Sequence, residues 1–135
     1  MSPYIYGQFI EHLGKCIYGG IWAEMLNDRK FWYNTGDKES PWIVEGESSM
    51  VYMDPRHPFT GEHSPVLEQS GSAKVSLRQD ELGLVEGMRY NGRIVAKAEG
   101  KISGLKLQLL DSKTQVVIDE VVINGITSAY NTFNF

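Results

Sequence analysis

The sequence predicts a mainly β fold, an incomplete jelly-roll-like β-sandwich preceded by a short strand-helix segment. Its second half contains strand-forming runs separated by Gly, Asp and Ser turns, at residues 74–77, 90–98, 105–110 and 115–123. Leu105, Leu107 and Leu109 alternate with polar residues, as expected for a sheet with one buried face. Aromatic and polar side chains alternate over residues 130–135 and predict a further strand. This strand spacing is typical of sandwiches and jelly rolls.

The N-terminal segment predicts one strand followed by one helix. Residues 4–10 alternate between two faces, as the side chains of a β-strand do. Ile17, Ile21 and Met25 recur at helical spacing, so we expect a short helix between residues 20 and 29.

Residues 34–72 have a different composition, rich in Gly, Ser, Pro and acidic residues. The Asp54-Pro55 pair is a turn signal within this stretch. We expect an irregular connection here, with a single strand near residues 49–53. The chain therefore divides into a strand-helix segment, an irregular connection and a partial sandwich, at residues 1–33, 34–72 and 73–135.

Length and charge exclude several classes of function. The 135 residues suffice for one domain with a hydrophobic core. Thirteen basic and seventeen acidic residues give a net charge of −4 without charge blocks, whereas nucleic-acid binding needs a clustered basic face. We therefore expect no nucleic-acid partner. We also expect no membrane partner, because neither a signal peptide nor an apolar run long enough to cross a bilayer occurs.

The most specific pattern is the opening run Tyr4-Ile-Tyr-Gly-Gln-Phe-Ile-Glu-His-Leu-Gly14, followed by Cys16-Ile-Tyr-Gly-Gly-Ile-Trp22. It resembles the first barrel strand of α-L-arabinofuranosidases of glycoside hydrolase family fifty-one, and it departs from the family pattern at Lys15, where Arg is usual. The resemblance continues through residues 22–31, 40–42 and 61–65, as in the subgroup with a carbohydrate-binding module inserted after that strand.

This resemblance implies a β/α-barrel origin for residues 1–33 and a partial carbohydrate-binding sandwich for residues 73–135. A complete barrel needs about 250 residues, so we expect the N-terminal part of a larger enzyme, lacking the strands that carry the two catalytic carboxylates. The parent reaction would be hydrolysis of terminal α-L-arabinofuranosyl groups in arabinoxylan or arabinan, without a cofactor. The resemblance therefore leaves the catalytic residues unassigned. The localisation is also left open: this chain shows no signal peptide, and a secreted or periplasmic parent enzyme is one option.

Five residues are candidates for sugar contact. Glu11 aligns with a family glutamate that hydrogen-bonds the arabinofuranosyl ring, and a carboxylate suits that role because it accepts two hydroxyl hydrogens. His12 and Trp22 belong to the same motif and are expected to bind substrate with it. Trp32 and Trp42 occur in polar, turn-rich sequence, which favours exposure and stacking against a sugar ring.

Other chemistry is not favoured by the pattern. With seventeen acidic residues, pairs such as Glu62 and Glu68 arise by chance and do not indicate a catalytic dyad. The spacing of His12, His57 and His63 matches no metal-binding motif, so no metal site is expected.

Three hypotheses remain open on the sequence alone. The first is the arabinofuranosidase-like segment, the second is a stand-alone carbohydrate-binding module, and the third is a truncated, self-assembling chain with its own hydrolase activity. The expected partner is a plant cell-wall polysaccharide or an arabino-oligosaccharide. Because an incomplete sandwich leaves strand edges and an apolar face uncovered, we also expect a homo-oligomer.

Overall fold

The computed structural model describes residues 25–135, and this part of the chain is mainly β, which confirms the predicted fold class. It contains eight strands, one turn of 3₁₀ helix at Ser48–Met50 and no α-helix. The strands are β1 (Ile43–Gly46), β2 (Val51–Asp54), β3 (Ser64–Leu67), β4 (Val75–Arg78), β5 (Arg93–Ala96), β6 (Leu105–Leu110), β7 (Val117–Ile123) and β8 (Asn131–Asn134). Across residues 25–135 we find no helix of the length and apolarity needed to span a membrane.

The strands form four two-stranded antiparallel sheets, arranged as two nested units. In the first unit, β1 pairs with β4 and encloses the β2–β3 hairpin in sequence. In the second unit, β5 pairs with β8 and encloses the β6–β7 hairpin. The same connectivity therefore occurs twice along the described chain.

The β6–β7 hairpin is the longest pairing, and its two faces differ. Leu105 lies opposite Ile123 and Leu107 opposite Val121, so apolar side chains share one face. On the other face, Lys106 forms an ion pair with Glu120 at 3.1 Å. The alternation of leucine with polar residues in the sequence therefore corresponds to the apolar and the polar face of this hairpin.

The turn between β6 and β7 is closed by Asp111. Its carboxylate oxygen Oδ1 accepts hydrogen bonds from the backbone N–H groups of Lys113 (3.0 Å) and Thr114 (2.7 Å), and from the Thr114 hydroxyl (2.8 Å). These bonds lower the pKa of Asp111, because they stabilise its ionised form. An aspartate at this position thus satisfies the turn's amides.

Burial is sparse in the described residues. Ile123, with 7% of its surface exposed, is the only buried hydrophobic side chain in residues 25–135. Leu105, Leu107 and Val121 on the same hairpin face are half-buried. Many other large apolar side chains are exposed, among them Met88, Val116, Val117, Ile118 and Val122. Exposed apolar surface of this kind is available for further contacts.

Two hydrogen bonds connect the nested units. The Tyr130 hydroxyl, which precedes β8, donates to the His57 carbonyl at 2.9 Å. Arg78, at the end of β4, lies 3.2 Å from the Glu45 carboxylate and donates to the Gln115 side-chain oxygen at 3.5 Å. The links lie in loops and at strand ends, where the units approach each other.

The sequence located most strands of the second half but missed two in the first. The pattern predicted β6 at its observed bounds, and it placed β7 and β8 within two residues. Residues 34–72, expected to be irregular apart from one strand, contain β1 and β3 in addition to β2. β3 includes Pro65, which cannot donate a backbone hydrogen bond and is tolerated because β3 has one neighbour among the described strands.

In the first third of the chain, the structure describes only residues from 25 onwards. The strand expected at residues 4–10 lies outside the described residues, as does most of the helix expected at 20–29. Residues 26–30, where that helix would end, form a bend and a turn.

Gly46 ends β1 with a φ of +91°, and a Cβ there would clash with the Lys74 carbonyl, so the close β1–β4 approach requires glycine. This pairing joins two of the predicted segments, whose division stays a prediction.

Candidate functional site

Side-chain and backbone hydrogen bonds hold a loop at residues 28–33, here called the aromatic loop. The Asp28 carboxylate accepts hydrogen bonds from the backbone N–H groups of Trp32 (2.6 Å) and Tyr33 (3.2 Å). The Phe31 N–H donates to the Asp28 carbonyl at 3.0 Å. Aspartate suits this position, because its short side chain bonds nearby amides and it tolerates a positive φ, here 45°.

Phe31 adopts a backbone conformation that a bulky residue seldom takes. Its φ is 54°, in the left-handed region, where a side chain costs energy unless surrounding contacts offset it. Those contacts are present. The Trp42 ring stacks on the Phe31 ring with centroids 5.0 Å apart, and the Trp42 indole N–H donates to the Asp28 carbonyl at 3.0 Å.

His63 supports the same loop from another direction. Its Nε2 lies 2.6 Å from the Phe31 carbonyl oxygen, so this nitrogen carries the hydrogen and donates. His63 immediately precedes β3, and Trp42 immediately precedes β1, so two strands fix the residues that hold the loop. His63 therefore has a structural role in holding the aromatic loop.

A side-chain amide holds the start of the loop. The Asn27 N–H donates to the Gln79 side-chain oxygen at 2.7 Å, and the Gln79 side-chain nitrogen donates to the Asn27 carbonyl at 2.9 Å. Gln79 directly follows β4, so a third strand also determines where the loop lies.

The loop presents its aromatic side chains unequally. Trp32 is 72% exposed and Tyr33 is 44% exposed, whereas Phe31 and Trp42 are half-buried. A surface depression beside Trp32 is lined by Leu26, Asn27, Asp28, Arg29, Lys30 and Trp32 itself. An exposed indole on a loop held by hydrogen bonds can stack on the apolar face of a ligand ring without first being ordered.

The carboxyl groups with shifted pKa values do not resemble a catalytic acid. Hydrogen bonds from Arg56 lower the pKa of Asp54, and hydrogen bonds from Lys106 and Gln108 lower the pKa of Glu120. A glycosidase acid needs the opposite shift, since it must hold a proton near neutral pH. The lowered pKa values therefore argue against a proton-donor role for Asp54, Asp111 and Glu120.

A second aromatic cluster lies between the two units. Phe59 and Tyr130 contact each other with ring centroids 5.5 Å apart, and the Lys97 ammonium lies 5.1 Å from the centre of the Tyr130 ring. The Tyr130 hydroxyl also donates to the His57 carbonyl, so Tyr130 makes aromatic, cation–π and hydrogen-bond contacts. The cluster therefore connects the two units of the fold.

The structure brings together two of the five predicted sugar contacts. Trp32 and Trp42 belong to the same assembly, Trp32 at its surface and Trp42 beneath it against Phe31. Contact of either ring with sugar stays a prediction. Glu11, His12 and Trp22 lie outside the described residues, and their substrate-binding role also stays a prediction. Within residues 25–135, no group of three His, Cys, Asp or Glu residues is placed to hold a metal ion.

Sequence reasoning missed Asp28 and Gln79 as loop-forming residues. For Asp28 a local signal exists, because an Asn-Asp pair directly before a charged and aromatic run is a turn signal. For Gln79 no local signal exists, since its partner Asn27 lies 52 residues away.

Comparison with known proteins relates the chain to arabinofuranosidases. It is 27% identical over 132 residues to the extracellular exo-alpha-L-arabinofuranosidase of Streptomyces chartreusis, an alignment that covers 93% of this chain and 16% of that protein. It is 83% identical over 24 residues to the intracellular exo-alpha-L-arabinofuranosidase of Bacteroides ovatus, covering 18% of this chain and 5% of that protein. The chain thus spans a small part of the length of both relatives. No family model and no solved structure matches it.

Proposed function

We propose that this chain is part of an arabinofuranosidase-like glycoside hydrolase that removes terminal α-L-arabinofuranosyl groups from arabinoxylan or arabinan. The observation that carries the proposal is the similarity to the Streptomyces enzyme along 93% of the chain. The opening motif around Glu11 supports the finer assignment to glycoside hydrolase family fifty-one.

In this proposal the chain positions sugar and does not supply the reacting carboxylates. Glu11 accepts two ring hydroxyls, and His12 and Trp22 complete its side of the subsite. A retaining glycosidase needs two carboxyl groups about 5–5.5 Å apart, one of them a proton donor. The lowered pKa values of Asp54, Asp111 and Glu120 argue against the proton-donor role for these three groups. The proposal places the pair in further residues of a larger protein.

The test separates sugar binding from turnover. Purified chain and the Glu11→Gln variant are incubated with 4-nitrophenyl α-L-arabinofuranoside, and binding of methyl α-L-arabinofuranoside is followed by saturation-transfer NMR. We expect no release of 4-nitrophenol, together with binding that Glu11→Gln weakens about tenfold, because a charge-assisted hydrogen bond is lost. Turnover by the chain alone would contradict the placement of the carboxylates elsewhere. Absence of arabinoside binding would overturn the substrate assignment.

A second candidate is a carbohydrate-binding module that acts without hydrolysis. The exposed Trp32 on a loop held by Asp28, Trp42 and His63 favours it. This candidate predicts polysaccharide binding that is unchanged in Glu11→Gln and that requires Trp32, which gel retardation in dissolved arabinoxylan measures.

A further inference from the structure

We propose that Asn124 is a site of spontaneous deamidation, in which its side-chain amide becomes a carboxylate, whereas Asn91 is protected although it has the same following residue. Both are exposed asparagines followed by glycine, in the pairs Asn91-Gly92 and Asn124-Gly125. The inference concerns a modification of the chain and does not depend on the proposed function.

The reaction proceeds through the backbone. The amide nitrogen of the following residue loses its proton and attacks the asparagine Cγ, so that an N–Cγ bond forms and the Cγ–Nδ2 bond breaks with release of ammonia. Water then opens the succinimide ring at either carbonyl, which gives aspartate or isoaspartate. Glycine favours ring closure, because it has no Cβ to obstruct the attacking nitrogen. Asparagine is accordingly one of the thermolabile residue types.

At Asn124 the attacking nitrogen is available. Asn124 and Gly125 are both exposed and lie in the irregular segment between β7 and β8. Within residues 25–135, the Gly125 N–H donates to no acceptor, and the space where a Gly125 side chain would lie is open. The side-chain amide of Asn124 donates to the Val122 carbonyl at 3.5 Å, which is long for a hydrogen bond. Both reacting groups are therefore weakly held.

At Asn91 the attacking nitrogen is engaged. The Gly92 N–H donates to the Phe135 carbonyl at 2.7 Å, and the Phe135 N–H donates to the Gly92 carbonyl at 2.9 Å, which extends the β5–β8 pairing by one residue pair. The Phe135 ring lies against Gly92, where a Cβ would clash with it. This pair must open before the Gly92 nitrogen can attack, and local opening costs free energy.

Deamidation at Asn124 would alter the end of the β6–β7 hairpin. Asn124 follows the buried Ile123, which lies opposite Leu105. Gly104 approaches both residues closely, since a Cβ there would lie 2.9 Å from the Asn124 Oδ1 and 3.1 Å from the Ile123 carbonyl oxygen. Isoaspartate lengthens the backbone by one methylene directly after Ile123 and therefore disturbs this close approach.

The experiment follows both sites in one sample. The full chain is incubated at mildly alkaline pH, sampled over several weeks, digested and analysed by mass spectrometry, and isoaspartate is identified by labelling with isoaspartyl methyltransferase. We expect Asn124 to convert at least about tenfold faster than Asn91, with isoaspartate among its products, because the Gly92 nitrogen reacts only after local opening. The chain unfolded in urea is the control, and there the two sites should convert at similar rates. Conversion of Asn91 as fast as Asn124 in the folded chain, or absence of isoaspartate at Asn124, would overturn the proposal.

Matched variants separate the causes. Phe135→Ala removes the ring that lies against Gly92, and it is expected to raise the conversion rate of Asn91 but not that of Asn124. An unchanged Asn91 rate would contradict shielding by Phe135. Asn124→Asp carries the charge of the product without the extra methylene, so we expect it to melt at a higher temperature than the purified isoaspartate form. Equal melting temperatures would contradict the effect of backbone lengthening on the hairpin.

Discussion

The two nested units have the same connectivity but are stabilised differently. The β5–β8 unit contains the longest hairpin and the buried Ile123, so its order derives from strand pairing and one apolar face. The β1–β4 unit has four-residue strands, and its order depends on side chains that bond loop backbone, as Asp28, His63 and Gln79 do. Both units contain strand pairs, but only the first also holds a long loop through side-chain hydrogen bonds to its backbone.

The largest expected effect tests the apolar face of the second unit. Ile123→Ala removes the side chain that is 7% exposed and should lower the free energy of unfolding by about 2 kcal/mol or more. Urea unfolding followed by circular dichroism measures it. Ile118→Ala, on the same strand but 60% exposed, is the control and should change stability by less than about 0.5 kcal/mol. Equal effects would contradict the assignment of Ile123 to a buried face.

Self-association should also distinguish the units. Among the strands of residues 25–135, β7 is seven residues long and pairs on one side only. Val116, just before it, and Val117 and Ile118, at its start, are exposed, so we expect homo-oligomers formed through this edge. Sedimentation velocity over a concentration series would detect them. Ile118→Lys should shift the distribution towards monomer, and Ile43→Lys on β1 should not. A monomer at every concentration would overturn the expected homo-oligomer.

A smaller, local effect tests the loop of the first unit. Trp42→Phe keeps a ring against Phe31 but removes the indole N–H that donates to the Asp28 carbonyl, a loss of about 1 kcal/mol. We expect faster hydrogen exchange at the Trp32 and Tyr33 amides, with unchanged exchange in the β6–β7 hairpin. Loss of protection across the whole chain would instead show that the two units unfold together.

The smallest effect is the pH dependence of the second hairpin. Hydrogen bonds from Lys106 and Gln108 lower the pKa of Glu120 below its ordinary value near 4.5. The stabilisation is therefore complete above that value, and it is lost as the pH falls through the lower folded-state pKa. Melting temperatures of wild type and Glu120→Gln should differ near pH 7 and converge at about pH 2. A difference in melting temperature that grows on acidification would contradict a lowered pKa of Glu120.

Sequence patterns located the second unit better than the first, for a physical reason. β6 shows a clean alternation of leucine with polar residues, and alternation is a local property that a sequence displays directly. β1 and β3 are short, and β3 contains Pro65, so local patterns do not distinguish them from loop. Which strand pairs with which is a long-range property, and the β1–β4 pairing left no signal in either strand.

The candidate site divides in the same way. Polar, turn-rich sequence predicted exposure of both Trp32 and Trp42, yet Trp42 is half-buried and Trp32 alone of the two is exposed, at 72%. The support beneath it was not predictable, since Trp42 and His63 reach the loop from residues that precede two separate strands. Contacts of this kind depend on tertiary structure alone.

The paired hydrogen bonds between Gln79 and Asn27 make the aromatic loop sensitive to strand register. Gln79 follows β4, whose Arg78 lies opposite Ile43 of β1. A slip of one residue between these strands would turn the side chains of β4 to the opposite face of the sheet. The Gln79 amide would then point away from Asn27, and the start of the loop would be released. A substitution in the β1–β4 pairing, distant from any ligand, can therefore misplace Trp32 while leaving every residue of the loop unchanged.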